Sequence, residues 1–415
     1  MRKLFQMLVT ASALHARWEY ETSMTILRSK KRLMILGLML IPAVLVTVAL
    51  ASDTLPDVLG GKKAYTPAFY TLETLLISIV IGLCAGLITG AIGAGGGFII
   101  TPALMSAGIK GILAVGTDLF HIFAKAIMGT AVHKKLGNVS VKLAIAFLVG
   151  SSIGVTCGGV INRTLYELNP LLSDTFISLI YVFLLGFLGI YSMLDFLSLR
   201  KKQKNTTVQV GGEEGTTISS KLQSVNIPPM ISFDENLIDG GKKISGWFVA
   251  FCGAIVGFVA AIMGVGGGFL TFPMFVYVLG VSSFTTVGTD ILQIIFTAGY
   301  AAITQYAVYG FIFYTLAMGM LIGSLIGIQL GALTTSVVDG LYIRGFYAAA
   351  ILAGFANRLF ALPAKLNDMQ WISIPQELAS FLTSCGNYAF FIVVAFFALW
   401  VLSKFVTNLH LLKEA

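Results

Sequence analysis

The sequence predicts an all-α polytopic membrane protein made of two inverted repeats. Each repeat is a glycine-broken re-entrant hairpin followed by three transmembrane helices, with an extra helix at each end of the chain. Three observations predict it. Of the 415 residues, 57% are hydrophobic and 11% charged, and the mean hydropathy is +0.89; a soluble domain carries about 25% charge. Apolar runs long enough to cross a bilayer, about 20 residues each, recur along most of the chain and allow about eight to ten spans. Two long segments also repeat one another.

The same composition excludes a cytosolic enzyme, a nucleic-acid binder and a disulfide-stapled secreted domain. The net charge of +8 reads as orientation, because basic residues of membrane proteins gather at the cytoplasmic face. The lipid bilayer is therefore the expected partner, and nucleic acid is not. Cys84, Cys157, Cys252 and Cys385 form no CxxC or Cys/His pair, so metal and redox chemistry find no support and no cofactor is expected.

In chain order, residues 1–52 form a cytoplasmic N-terminal segment with Arg28, Lys30, Lys31 and Arg32, then the apolar run Leu33 to Ala51. This is either a signal peptide or an uncleaved signal anchor, and both place residue 53 outside. Apolar runs at 72–93, 97–108, 111–132, 139–163 and 173–198 make up transmembrane repeat 1, residues 72–198. Residues 199–245, with Arg200-Lys201-Lys202-Gln203-Lys204, read as a polar cytoplasmic linker. Runs at 246–264, 267–280, 286–307, 309–334 and 340–362 make up repeat 2, residues 246–362. After a polar loop at 364–383, a final transmembrane helix covers 386–407.

The repeat is visible residue by residue. Gly86 to Pro102 lines up with Gly257 to Pro273, including Gly93-Ala-Gly-Gly-Gly-Phe98 against Gly264-Val-Gly-Gly-Gly-Phe269. Val115-Gly-Thr-Asp-Leu119 matches Val287-Gly-Thr-Asp-Ile291, and Gly150-Ser-Ser-Ile-Gly154 matches Gly323-Ser-Leu-Ile-Gly327. The run at 97–108 is too short to cross at about 1.5 Å per residue, so with 72–93 it forms a hairpin that returns to its starting side. Three crossings then follow. An odd number of crossings starts the second copy from the opposite face and inverts it, as in secondary transporters with broken helices near the midplane.

Irregular backbone at membrane depth persists only inside protein or beside a cavity. Gly95, Gly96 and Gly97, with Gly266, Gly267 and Gly268, supply such backbone, and each triplet precedes the start of a short helix. Free N–H groups and about half a positive charge at a helix start suit a small anion. The alternative is that the glycines only let helices cross closely. Asp118 and Asp290 hold matched positions, and His121 and Lys125 follow Asp118 on one helical face. Asp118 with Lys125 reads either as an ion pair that holds the fold or as part of a charge-coupling site. Asp290 has Gln293 one turn on, and a carboxylate without a cation suits proton carriage.

The doubled Gly-x-Gly-Gly-Gly-Phe…Pro signature, Gly93 to Pro102 and Gly264 to Pro273, resembles that of the sulfite exporter TauE/SafE family, also called toluenesulfonate uptake permeases. The resemblance covers roughly 72–407. It implies a multi-pass inner-membrane permease for a small sulfur-containing anion such as sulfite, thiosulfate or an organosulfonate. By position it assigns substrate binding to Gly95, Gly96, Gly97, Phe98 and Pro102 with Gly266, Gly267, Gly268, Phe269 and Pro273. The family usually has Thr-Ser where this chain has Thr117-Asp118 and Thr289-Asp290. The leading expectation is a secondary carrier that rocks one repeat against the other around a fixed midplane site, with a proton as candidate coupling ion. A passive anion channel and a non-transporting subunit docking through 199–245 are the alternatives. No nucleophile, base and orienter can be assembled, so an enzyme is not expected. Homo-oligomerisation is left open.

Overall fold

The structure, a computed structural model, describes residues 72–92, 96–136, 140–205, 217–234, 241–335, 338 and 340–407. The N-terminal segment 1–52 and Gly95 lie outside the described residues. The first unit contains α1 (Leu72–Ile92), α2 (Gly97–Ser106), α3 (Gly111–Leu136), α4 (Val141–Leu168) and α5 (Pro170–Asn205). Then come α6 (Thr217–Ser224) and the strands β1 (Met230–Phe233) and β2 (Lys242–Ser245). The second unit contains α7 (Gly246–Met263), α8 (Gly268–Pro273), α9 (Ser283–Tyr300), α10 (Tyr314–Thr335) and α11 (Gly340–Asp368), and α12 (Gln376–Thr407) follows. π-helical turns at Met274–Leu279 and Ala301–Ala307 extend α8 and α9.

Six of the described helices are long and apolar enough to cross a membrane: 141–168, 170–198, 246–263, 314–331, 341–368 and 376–407. Their outward faces are apolar too. Phe183, Phe187, Ile190 and Leu194 are exposed on α5, and Trp247, Phe251 and Ile255 form an exposed stripe on α7. Contiguous apolar surface of that kind suits lipid rather than water. Cys157 and Cys385 are on exposed surface, while Cys252 is buried.

Several helices outrun the apolar segments that predict them. The expected polar loop at 364–383 is mostly helix, since α11 runs to Asp368 and α12 starts at Gln376. Likewise α5 continues through Arg200 to Lys204. Hydropathy marks only the part of a helix that lies in hydrocarbon, whereas the backbone hydrogen-bond ladder carries on into the polar interface.

The long helices of the first unit pack mainly on those of the second: α1 on α10, α4 on α7, α3 on α9 and α5 on α11. Glycine makes the first two pairs close. A Cβ on Gly86 would stand 2.6 Å from the Ser324 carbonyl oxygen, and one on Gly154 would stand 2.7 Å from the Phe258 amide. Gly323, Gly327 and Gly331 of α10 meet α1 backbone in the same way, and Gly253 and Gly257 of α7 meet α4. Without side chains between them the backbones gain dispersion contacts that lipid cannot supply. Residues matched by the repeat thus make matched contacts across the molecule, and the two units are interleaved.

Part of the expected linker is folded onto the bundle. β1 and β2 pair antiparallel with Met230 opposite Ser245 and Phe233 opposite Lys242. Ile231, Phe233 and Ile244 share a buried cluster with Phe147, Val249, Phe275 and Leu279. Asp234 then accepts from the Ser282 hydroxyl at 2.6 Å and from its amide at 2.9 Å, fixing the residue that caps α9.

Candidate functional site

The two helix breaks lie against each other. Both are buried: Gly96 and Gly97 in the first, and 264–269 in the second. A Cβ on Gly97 would stand 2.6 Å from Val265 Cα, so backbone meets backbone there. The next residues, Phe98 and Phe269, hold their rings 6.3 Å apart, and Phe98 also stacks edge-on against Tyr347 at 5.8 Å. The main hydrophobic core gathers around this meeting point, with Leu87, Ile122, Val155, Tyr181, Met263 and Tyr306 among its members.

The local sequence explains the break. Gly264, Gly266 and Gly267 adopt φ of 79°, 65° and 89°, values that side-chain-bearing residues avoid. Beyond each break the first amides to find helical acceptors are Ile99, bonded to Gly96, and Leu270, bonded to Gly267. The N–H groups of Gly97 and Phe98, and of Gly268 and Phe269, therefore sit at helix starts. Pro102 lies inside α2 and Pro273 closes α8.

Two buried polar chains flank the breaks, one per unit. In the first, the Thr101 hydroxyl donates to Asp118 Oδ2 at 3.0 Å. Asp118 Oδ1 stands 3.6 Å from His121 Nδ1, and His121 Nε2 is 2.8 Å from Ser324 Oγ on α10. In the second, Gln293 Nε2 donates to Asp290 Oδ1 at 2.8 Å and to Thr271 Oγ1 at 3.0 Å. Thr297 Oγ1 donates to Gln293 Oε1 at 2.9 Å and is 3.0 Å from Ser151 Oγ on α4. Each chain runs from a threonine of the short helix to the matched serine of the opposite unit, through Asp118 and His121 in the first and through Gln293 and Thr297 in the second, where Asp290 branches from Gln293.

The chains differ in one chemical respect. At 3.6 Å the Asp118–His121 contact is too long for a hydrogen bond, and both atoms are buried without another partner. The partners of Asp118 are Thr101 and His121; Lys125, further along α3, is half-buried. In the second unit Gln293 stands where His121 stands in the first, and its neutral amide satisfies the half-buried Asp290.

The repeat does not mark four further buried groups, three of which bond the breaks or the helices that carry them. The Tyr181 hydroxyl donates to Met263 O at 2.5 Å and lies 3.4 Å from Gly97 O, so it touches both breaks. Tyr306 donates to Ala261 O and receives the Asn162 amide at 3.1 Å. Arg358 Nη2 donates to Pro102 O at 3.3 Å. Arg163 donates to Gln305 Oε1 at 2.7 Å and covers the Tyr309 ring at 4.0 Å. Both arginines are readable as ionisable residues at membrane depth, but a search restricted to repeat-matched positions passes over them.

Among the described residues no group of three or more His, Cys, Asp or Glu is placed to hold a metal ion. Broken helices that meet inside an apolar bundle, beside buried ionisable groups, define the chain as a multi-pass membrane transporter. The profile of the sulfite exporter TauE/SafE family matches residues 78–357, and the chain belongs to that family. It is 26% identical over 267 residues to the probable membrane transporter protein YunE of Bacillus subtilis, covering 62% of this chain and 88% of the relative. It is 24% identical over 214 residues to a probable membrane transporter protein of Methanocaldococcus jannaschii, covering 50% of this chain and 63% of the relative. No solved structure matches the chain.

Proposed function

We propose that the protein is a secondary transporter of the inner membrane that moves a small sulfur-containing oxyanion, such as sulfite, thiosulfate or an organosulfonate, by alternating access around the meeting point of the two breaks. The observation that carries this reading is the apposition of Gly97 with Val265 and of Phe98 with Phe269. It brings two helix starts, with their outward N–H groups and partial positive charge, to one place within the bundle. The two units are taken as inverted copies, with the N-terminus and the 199–245 linker cytoplasmic. The family name, which specifies sulfite export, supports the substrate class.

Two expectations change. Rocking of one repeat against the other would separate α1 from α10 and α4 from α7, the glycine-lined pairs in closest backbone contact. The moving bodies are better taken as those cross-repeat pairs. The candidate proton carrier moves from Asp290, which the Gln293 amide holds, to the Asp118–His121 pair, whose facing atoms are buried and share no hydrogen bond.

Purified protein in proteoliposomes tests the proposal. Radiolabelled sulfite, thiosulfate and a sulfonate should enter saturably and exchange with internal anion, and Gly96→Leu and Gly267→Leu should abolish entry while the protein stays folded. Unsaturable flux would favour a channel, and retained flux in both variants would remove the site.

A further inference from the structure

We propose that Arg358, with Ser106, Asn357 and Asn387, forms an anion-binding site at the C-terminal end of α2; the identity of its anion rests on the transport reading above. Arg358 is 2% exposed, among the largest fully buried side chains of the protein. A guanidinium remains charged under all ordinary conditions, and a charge inside a membrane bundle needs a partner. Its protein partners are all neutral. Nε donates to Asn357 Oδ1 at 2.7 Å, and Nη2 donates to Ser106 Oγ at 2.7 Å and to Pro102 O at 3.3 Å. Among the described residues no carboxylate lies within ion-pair distance of it.

The neighbouring acid is already engaged. Asp174 takes Lys365 Nζ at 3.3 Å through one oxygen and the Gly111 amide at 2.7 Å through the other. Lys365 lies two turns beyond Arg358 on α11, and the exposed Asp368 at the end of that helix also acts on Lys365, so inside the bundle this corner holds two cations and one anion. The carbonyl end of α2 offsets only about half a charge. A small oxyanion would complete the balance.

The geometry also suits recognition. Three of the five guanidinium N–H groups are used, which leaves both Nη1 hydrogens without a protein acceptor among the described residues. Each can give an anionic oxygen a short, charge-assisted hydrogen bond. Asn357 bridges to Ser106 at 3.0 Å and to Asn387 of α12 at 2.9 Å, so three helices fix the fork in place. Pro102 links this corner to the first break through α2.

The test is thermal unfolding of the full-length chain in detergent, titrated separately with sulfite, thiosulfate and sulfate at constant ionic strength held with gluconate. The wild type should be stabilised by at least one oxyanion. Arg358→Lys, which keeps the charge and loses the fork, should raise the midpoint of that titration about tenfold or more, and Asn387→Ala should raise it less. A purely structural arginine would lower the melting temperature at every concentration and leave the midpoint unmoved. No stabilisation of the wild type by any of the three anions, or an unmoved midpoint in Arg358→Lys, overturns the site. Liposome flux separates the two ideas. Arg358-dependent stabilisation without flux removes the transport reading alone, whereas flux with an unchanged KM in Arg358→Lys removes the site alone.

Discussion

Phe98 and Phe269 occupy the same position in the two repeats, and their rings lie 6.3 Å apart at an angle of 40°. Each ring follows a glycine triplet and opens a short helix, so their contact marks the place where the two units meet. Directly behind them, Gly97 faces the Val265 backbone with no space for a side chain.

Gly97→Ala therefore forces the breaks apart. Its methyl carbon would stand 2.6 Å from Val265 Cα, and overpacking of this kind costs about 1–3 kcal/mol. Anion flux in proteoliposomes should fall at least tenfold while the variant still elutes as a single folded species. Unchanged flux would mean that the breaks do not need to touch.

Asp118→Asn and Asp290→Asn should differ. Asp118 faces a histidine without a hydrogen bond between them, whereas Asp290 is held by the neutral Gln293 amide. Asp118→Asn should abolish anion accumulation driven by a pH gradient while anion exchange continues, and Asp290→Asn should keep most of both. A pH-sensitive dye trapped inside the vesicles reads the outcome. Equal losses in the two variants would rule out the first chain as the coupling element.

Gly257→Val should destabilise the fold. The Gly257 Cβ position is 2.7 Å from Ser151 Cα, in the α4–α7 contact, so a branched side chain must separate the two helices at a cost of about 1–3 kcal/mol. The melting temperature in detergent should drop by several degrees. An unaltered melt would show that the pair does not depend on backbone contact.

Asp234→Ala should loosen the folded part of the linker. The carboxylate takes two hydrogen bonds from Ser282, both of which the substitution removes, and losing a buried partner costs about 1–3 kcal/mol. Trypsin should then cut faster at Lys242 or Lys243, while anion flux stays close to that of the wild type. Unchanged cleavage would mean that β1 and β2 are held by their apolar contacts alone.

Much of this arrangement is legible in the sequence, because the features involved are covalently local or duplicated. Membrane character follows from composition, and the matched positions of Gly97 with Gly268 and of Asp118 with Asp290 follow from the repeat. Helix ends such as Asp368 and Gln376 do not, since hydropathy ends where hydrocarbon ends. Nor do Tyr181 and Arg358: their partners Met263 and Pro102 are brought to them by the fold from distant parts of the chain. The interleaving of the two units also escapes the linear pattern. A glycine row shows that a helix can be approached closely, but it does not name the helix that approaches it.

The most direct test of the central claim is a reversible cross-link between the breaks. Phe98→Cys and Phe269→Cys, placed together in a protein whose four native cysteines are replaced, should be joined by a short, reducible bis-methanethiosulfonate reagent that spans the space of two rings with centroids 6.3 Å apart. Anion exchange in proteoliposomes should stop on cross-linking and return on reduction. A complete cross-link that leaves exchange at its original rate would contradict the account, as would a pair that never forms.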